Sequence, residues 1–181
     1  PPRSTLFPYT TLFRSESAIK SMPPIPGRME HISCNCLGKV FVDYAHSPDA
    51  YEKLFSNLVN LMDNQVNIFT VFGCGGNRDT GKRAEMAKIS EKYASFSFVT
   101  TDNPRTESLE RINADIIQGF SSDSYTVILD RKEAITTALK QMNENSILLV
   151  LGKGAENYQE IGTEKIPHSD IEIIKDYTNA G

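Results

Sequence analysis

Short apolar segments alternate with amphipathic segments along most of this 181-residue chain, and that alternation restricts the folds open to it. The amphipathic segments repeat their apolar residues at the three- and four-residue spacing of a helix. We predict strands at residues 39–44, 66–72, 95–100, 125–129 and 146–151, and helices at residues 48–62, 81–93, 108–120, 131–142 and 169–177. The strand at 146–151 is apolar from Ile147 to Leu151, as expected for a strand buried on both faces. The pattern therefore predicts an α/β fold with a doubly wound, mostly parallel sheet.

Polar clusters follow four of the predicted strands. They occupy residues 43–49, 73–83, 101–105 and 152–159. The carboxyl ends of parallel strands share one edge of a sheet, and ligands of doubly wound proteins bind outside that edge. The four clusters therefore predict one ligand site.

The second cluster nearly matches the glycine-rich loop that binds nucleotide phosphates. It runs from Gly76 to Lys82, but Arg83 stands where that loop has the serine or threonine that holds Mg²⁺. A guanidinium beside the metal would repel it, which disfavours a stand-alone nucleotide hydrolase built on this loop. We interpret the loop as one that gathers positive charge for an anion. Lys82 and Arg83 themselves are interpreted as surface charges at a helix start or as residues behind the site.

Charge and hydropathy exclude two broad classes of function. The formal net charge is −4, which argues against a general nucleic-acid binder. No apolar run approaches the roughly 20 residues that a membrane-spanning helix needs. We therefore expect neither nucleic acid nor membrane as a partner, and any recognition by arginine must be local.

The first 15 residues do not look like protein-coding sequence. From Thr5 to Ser15 they resemble the in-frame translation of a sequencing adapter. We interpret residues 1–15 as such an artefact and expect them to be disordered, with an ordinary disordered tail as the alternative. On that interpretation authentic sequence begins near Glu16, and the chain is a fragment of a longer protein.

Five motifs occur in a fixed order and together resemble one family. They are Pro-Gly-Arg-Met-Glu at 26–30, Asp-Tyr-Ala-His-Ser-Pro-Asp at 43–49, Gly-Gly-Asn-Arg-Asp-Thr-Gly-Lys-Arg at 75–83, Asp-Asn-Pro-Arg at 102–105 and Gly-Lys-Gly-Ala-Glu at 152–156. From Pro26 onward the chain resembles the C-terminal domain of a Mur ligase. The resemblance implies a Rossmann-like domain at 38–181, preceded by a hinge or linker with a first strand at 16–37.

The resemblance also implies an activity for the whole ligase. Such an enzyme phosphorylates a substrate carboxyl with ATP, and the amine of an incoming amino acid attacks the acyl phosphate. For this chain it implies a cytoplasmic bacterial enzyme of peptidoglycan synthesis that extends a UDP-N-acetylmuramoyl-dipeptide. ATP and Mg²⁺ would be held mainly by a central domain outside this sequence. We therefore expect no catalytic residue and no metal ligand here, and expect the chain alone to be inactive.

The resemblance assigns binding roles residue by residue. Arg28 is expected to reach the ATP phosphates, with an exposed interdomain arginine as the alternative. Asp43 and His46 are expected near the nucleotide's sugar and base, since a carboxylate suits a ribose hydroxyl. A structural role is the alternative for His46, and packing or stacking is expected for Tyr44.

A second group of residues resembles the family's clamp for the incoming amino acid. Its members are Arg78, Asn103, Arg105, Gly152 and Glu156. Asn103 can accept from an ammonium and donate to a carboxylate, and Gly152 allows close backbone approach. Glu156 can pair with the distal ammonium, with structural ion pairing as the alternative for Arg78 and Glu156.

Arg105 predicts the identity of the amino acid. Meso-diaminopimelate differs from lysine by a second carboxylate, which a guanidinium binds bidentately. A lysine-adding enzyme would leave that buried charge unpaired, at a cost. A lysine-adding or other Mur ligase and a non-catalytic amino-acid-binding module remain the alternatives. Ala155 departs from the family, which usually has histidine there, and this places a secondary contact in doubt.

Overall fold

The computed structural model describes residues 23, 25–34, 38–62 and 66–179. The segment interpreted as an adapter artefact lies outside the described residues. The strands are β1 (Glu30–Ile32), β2 (Lys39–Asp43), β3 (Asn67–Phe72), β4 (Phe96–Val99), β5 (Tyr125–Val127), β6 (Ser146–Leu151), β7 (Tyr158–Ile161) and β8 (Glu164–Pro167). The helices are α1 (Pro48–Leu61), α2 (Gly81–Tyr93), α3 (Leu109–Ile117), α4 (Arg131–Gln141) and α5 (Asp170–Asn179).

Six strands form one sheet in the order β1-β2-β6-β3-β4-β5. The β2–β6, β6–β3, β3–β4 and β4–β5 pairs are parallel, and β1 runs antiparallel to β2 at one edge. The prediction of a mostly parallel α/β sheet is therefore confirmed. Because β2 and β3 flank β6, their carboxyl ends bring three of the predicted polar clusters to one edge.

Apolar cores cover both faces of the sheet. One core joins α1, α2 and α3 through residues such as Phe55, Met86 and Ile116. The other joins α4 and α5 through residues such as Ile135 and Ile174. Side chains of β6 alternate between the two cores, and all six of its residues are buried, as its sequence predicted.

Polar side chains fix where the helices begin. Ser47, Ser108 and Asp130 each accept a hydrogen bond from a backbone N–H of the first turn that follows. Such caps satisfy N–H groups that have no partner within the helix. The helices consequently begin within one residue of the predicted positions. Among the described residues, no helix combines the length and apolarity needed to cross a membrane.

Periodicity does not predict the β7–β8 hairpin. Its two strands pair antiparallel, and every residue of β8 is exposed. Backbone and side-chain hydrogen bonds attach the hairpin to residues 101–105, with Gln159 donating to the carbonyls of Thr101 and Asp102. The hairpin thus forms one wall of the polar edge of the sheet.

Candidate functional site

A cavity of about 370 Å³ opens at the carboxyl edge of the sheet. Six of the residues singled out in the sequence line it: His46, Arg78, Asn103, Arg105, Gly152 and Glu156. They come from the loops after β2, β3, β4 and β6, so all four polar clusters meet there. Arg28 lies instead in an adjoining cavity of about 340 Å³, which shares Tyr44 and Glu156 with the first.

The backbone of Arg105 is held in an unusual conformation. Its φ of 52° lies in the left-handed region, which residues other than glycine seldom occupy. The hairpin maintains it, because the Arg105 N–H donates to the Glu160 carbonyl at 3.0 Å and the Arg105 carbonyl accepts from the Gly162 N–H at 2.7 Å. Such strain persists where surrounding contacts over-determine it, typically at functional sites.

The guanidinium of Arg105 is anchored along one side and open along the other. Its Nε lies 2.9 Å from Oε2 of Glu160, and its Nη1 donates to the Gly76 carbonyl at 2.9 Å. Its Nη2 has no hydrogen-bond partner within the described part of the chain, and the side chain is partly exposed. The Nη2 group can therefore donate to a carboxylate in the cavity.

A buried lysine joins Asn103 to Glu156. Nζ of Lys153 donates to Oδ1 of Asn103 and to Oε2 of Glu156, both at 3.0 Å. Oδ1 of Asn103 also accepts from the Glu160 N–H at 2.9 Å, and Nδ2 of Asn103 donates to Oε2 of Glu156 at 3.2 Å. Both acceptor sites of the amide are thus filled. Asn103 can offer a ligand its N–H, but the expected acceptance from an ammonium is not available in this arrangement.

Two backbone N–H groups of the glycine-rich loop donate hydrogen bonds to other parts of the protein. The Gly76 N–H donates to the Asn103 carbonyl at 2.9 Å, and the Asn77 N–H donates to Glu107 at 2.8 Å. A Cβ placed on Gly76 would lie 1.9 Å from the Pro104 carbonyl oxygen. Gly76 is therefore needed for the close approach of two loops. In this loop the Gly76 and Asn77 N–H groups are already used by the protein, so they do not cradle a phosphate.

The structure distinguishes the two interpretations of Arg83. Its side chain is fully buried, with Nη2 2.7 Å from Glu107 and Nη1 2.8 Å from Asp115, and Nη2 also donates to the Gly75 carbonyl. Of the two interpretations, a surface charge is excluded for Arg83, because acidic groups far along the chain neutralise it, and a residue behind the site remains. Its hydrogen bonds, with that from the Asn77 N–H, lower the pKa of Glu107 to about 2. The positive charge left facing the cavity comes from Arg78, Lys82 and Arg105.

The loop after β2 holds the segment that contains Arg28. Asp43 is buried, and its two carboxylate oxygens accept from the Ala45 and Met29 N–H groups, both at 2.7 Å. The Arg28 guanidinium lies 4.7 Å from the centroid of the Tyr44 ring. Nδ1 of His46 lies 2.9 Å from the Tyr44 carbonyl oxygen, within hydrogen-bond distance, and the residue is exposed.

The described residues contain no group of three histidine, cysteine, aspartate or glutamate side chains placed to hold a metal ion. Lys153 and Glu160 were not singled out from the sequence. A lysine between two glycines signals nothing about burial, and Glu160 lies in an unpredicted strand.

Residues 27–154 match the family described as Mur ligase, glutamate ligase domain, and the chain belongs to that family. It is similar to the UDP-N-acetylmuramoyl-L-alanyl-D-glutamate–2,6-diaminopimelate ligase of Rickettsia typhi, with 40% identity over 172 residues. That alignment covers 93% of this chain and 34% of the relative. The ligase of the same name from Rickettsia conorii is 45% identical over 151 residues, which cover 83% and 31% of the two chains.

Solved structures show the same likeness. A structure of a ligase with that same name superposes with a TM-score of 0.79 at 35% identity, covering 95% of this chain and 37% of that one. A bifunctional folylpolyglutamate synthase/dihydrofolate synthase from Yersinia pestis, solved with AMPPNP and a Mn ion, has a TM-score of 0.56 at 19% identity. The superposition covers 71% of this chain and 28% of the synthase chain, and at that identity it shows the shared fold alone. The chain spans about a third of the length of the relatives it matches.

Proposed function

We propose that this chain is the part of an amide-forming ligase that binds the incoming amino acid, and that this amino acid is meso-diaminopimelate. The whole ligase would transfer the γ-phosphoryl group of ATP to the free carboxylate of UDP-N-acetylmuramoyl-L-alanyl-D-glutamate. An amine of diaminopimelate then attacks the acyl carbon, the phosphate leaves, and an amide forms. The relatives' shared name, which contains 2,6-diaminopimelate, supports this assignment.

The single observation that supports the substrate most directly is the open side of the Arg105 guanidinium. Arg105 lines a cavity in which Arg78 adds a second positive charge, and Nδ2 of Asn103 adds a neutral donor. Carboxylates bind such donors strongly because the hydrogen bonds are charge-assisted. Diaminopimelate brings two carboxylates to this cavity, whereas lysine brings one.

Glu156 supplies the opposite charge. Its Oε2 is occupied by Lys153 and Asn103, and its Oε1 has no hydrogen-bond partner among the residues described. An ammonium of the amino acid would pair with Oε1. The cavity therefore presents donors for carboxylates and an acceptor for an ammonium, which is the pattern that an amino acid requires.

The nucleotide is proposed to approach from the adjoining cavity. Arg28 and Tyr44 lie there, and Asp43 fixes the backbone that holds Arg28 in place. Each Asp43 oxygen retains a second acceptor site for a ribose hydroxyl. ATP and Mg²⁺ would be held mainly by the central domain of the ligase, in the bacterial cytoplasm. We therefore expect no ligation by the chain alone, and ligation by this chain alone would contradict that division of labour.

Titration calorimetry with meso-diaminopimelate and L-lysine tests the proposal. The expected result is binding of diaminopimelate in preference to lysine, with the preference lost in Arg105→Ala. Loss of hydrogen bonds to a charged group costs about 1.5–3 kcal/mol, which corresponds to an affinity about 10- to 100-fold weaker. Arg111→Ala is the matched control, since Arg111 is an exposed arginine of α3 that does not line the cavity. Equal binding of the two amino acids by the unmodified chain would overturn the assignment of Arg105.

A further inference from the structure

Lys153 is a fully buried lysine whose ammonium contacts two residues of the proposed clamp. Burying an ammonium is costly unless it is paired and hydrogen-bonded. Nζ meets that requirement with Oδ1 of Asn103, Oε2 of Glu156 and the Tyr158 ring, whose centroid lies 5.6 Å away. Lys153 does not line the main cavity, so its contacts with the amino acid would be indirect.

We propose that Lys153 is a positioning residue that fixes which atoms of Asn103 and Glu156 the amino acid meets. The inference rests on the proposed function for the identity of the ligand. It goes beyond that function in naming a residue that acts on the amino acid through two others, while it lines the adjoining cavity and not the main one.

The first effect concerns the orientation of the Asn103 amide. A side-chain amide can turn over, exchanging an acceptor for a donor. A cation beside Oδ1 prevents that exchange, because the reversed amide would direct Nδ2 hydrogens at the ammonium. The Glu160 N–H at 2.9 Å from Oδ1 imposes the same orientation. Asn103 is consequently held as a donor, which suits a carboxylate.

The second effect concerns Glu156. Lys153 and Asn103 both donate to Oε2, so the carboxylate is held by one oxygen and its Oε1 is left for the ligand. Without the lysine, one weaker contact from Nδ2 of Asn103, at 3.2 Å, would remain. The carboxylate could then rotate away from the position in which it receives an ammonium.

Lys153→Met tests the proposal, because methionine retains length and apolar volume while it removes the three donors. Lys165→Met is the matched control: its ammonium lies 4.1 Å from the centroid of the same Tyr158 ring, but it contacts neither Asn103 nor Glu156. We would follow meso-diaminopimelate binding by NMR titration, thermal unfolding, and the Asn103 side-chain amide resonances without ligand.

We expect Lys153→Met to bind meso-diaminopimelate at least tenfold more weakly and to shift the ligand-free Asn103 amide resonances. Lys165→Met should do neither. Binding by a folded Lys153→Met chain at the unmodified affinity would overturn the proposal, as would unchanged Asn103 resonances.

Two further NMR measurements test the proposal if Lys153→Met does not fold or if diaminopimelate does not bind. In the unmodified chain, Lys153 ammonium signals should exchange slowly with water and should move when Asn103→Asp changes their acceptor. Signals that exchange rapidly and do not move would refute the positioning role. Failure of the unmodified chain to bind diaminopimelate would count against the proposed function, whereas the ligand-free Asn103 resonances would still decide the role of Lys153.

Discussion

Replacing Asp170 by asparagine is expected to lower the free energy of unfolding by about 3–5 kcal/mol, the usual cost of leaving a buried charge without its partner. Asp170 and Arg131 are both fully buried, and Asp170 accepts from Nε and Nη2 of Arg131, both at 2.8 Å. His168 adds a third contact at 2.9 Å. Asparagine has nearly the same shape but no charge, so the Arg131 guanidinium would stay buried and uncompensated.

Urea denaturation at neutral pH is the measurement. Asp176→Asn is the matched control, because Asp176 is an exposed residue of the same helix, and its free energy of unfolding should change by less than about 0.5 kcal/mol. A loss below 1 kcal/mol in Asp170→Asn would show that the buried pair contributes little to stability.

The Asp170–Arg131 pair also predicts how the stability of the fold depends on pH. Burial alone would raise the pKa of Asp170, but Arg131 and His168 outweigh burial and hold that pKa well below its usual range. A carboxyl with a lowered folded-state pKa stabilises the fold fully above its unfolded pKa of about 3.9, and that stabilisation disappears as the pH falls toward the folded pKa. The stability difference between the unmodified chain and Asp170→Asn should therefore be constant above about pH 5 and shrink below pH 4. A constant difference down to pH 2 would contradict this.

Replacing Gly76 by alanine is expected to abolish measurable diaminopimelate binding. The added Cβ would lie 1.9 Å from the Pro104 carbonyl oxygen, a backbone atom that cannot turn aside. The two loops must separate, which removes the bond from the Gly76 N–H to Asn103 and the bond from Arg105 to the Gly76 carbonyl. The loss of affinity should therefore exceed that of Arg105→Ala. Overpacking should also cost about 1–3 kcal/mol of stability.

Gly81→Ala is the matched control, five residues along the same loop. Gly81 begins α2, and the atom nearest to its added Cβ is Oδ1 of Asp79, a side-chain atom at 3.3 Å. Alanine at a compatible helical position stabilises a chain by about 0.4–1 kcal/mol. Calorimetric titration would measure the diaminopimelate affinity of both variants, and urea denaturation would measure their free energies of unfolding. If Gly76→Ala bound diaminopimelate as well as Gly81→Ala does, the close approach of the loops would be irrelevant to the site.

The sheet could be predicted from the sequence because its evidence is local. Most of its strands and helices show their buried face in their own apolar spacing, and β6 shows two buried faces in an unbroken apolar run. The gathering of His46, Asn103, Arg105 and Gly152 at one cavity followed from parallel strands ending at one edge. The binding roles of all these residues, and those of Arg28, Asp43, Arg78 and Glu156, stay predictions.

Long-range pairing explains what could not be predicted. In the sequence Arg83 looks like a surface residue, but the fold brings Glu107 and Asp115 into contact with its guanidinium. Lys153 likewise looks exposed in the sequence, but the fold brings Asn103 into contact with its ammonium. The hairpin shows no alternation of buried and exposed residues, because its attachment is made by hydrogen bonds to residues 101–105. The apolar periodicity of a sequence predicts which hydrophobic residues are buried, but it does not predict which charged residues are buried through ion pairs.

The central position of β6 has a consequence for the order in which the chain is assembled. Strands β2 and β3 each pair with β6 and not with each other, although both precede it by more than 70 residues. Until residues 146–151 have left the ribosome, the β1–β2 pair and the β3–β4–β5 group have no strand to join them. A growing chain would therefore display apolar strand faces and two unpaired edges while residues 73–145 are made, a state that invites aggregation. A stop or frameshift before Ser146 would leave two separate half-sheets in place of a smaller version of this domain.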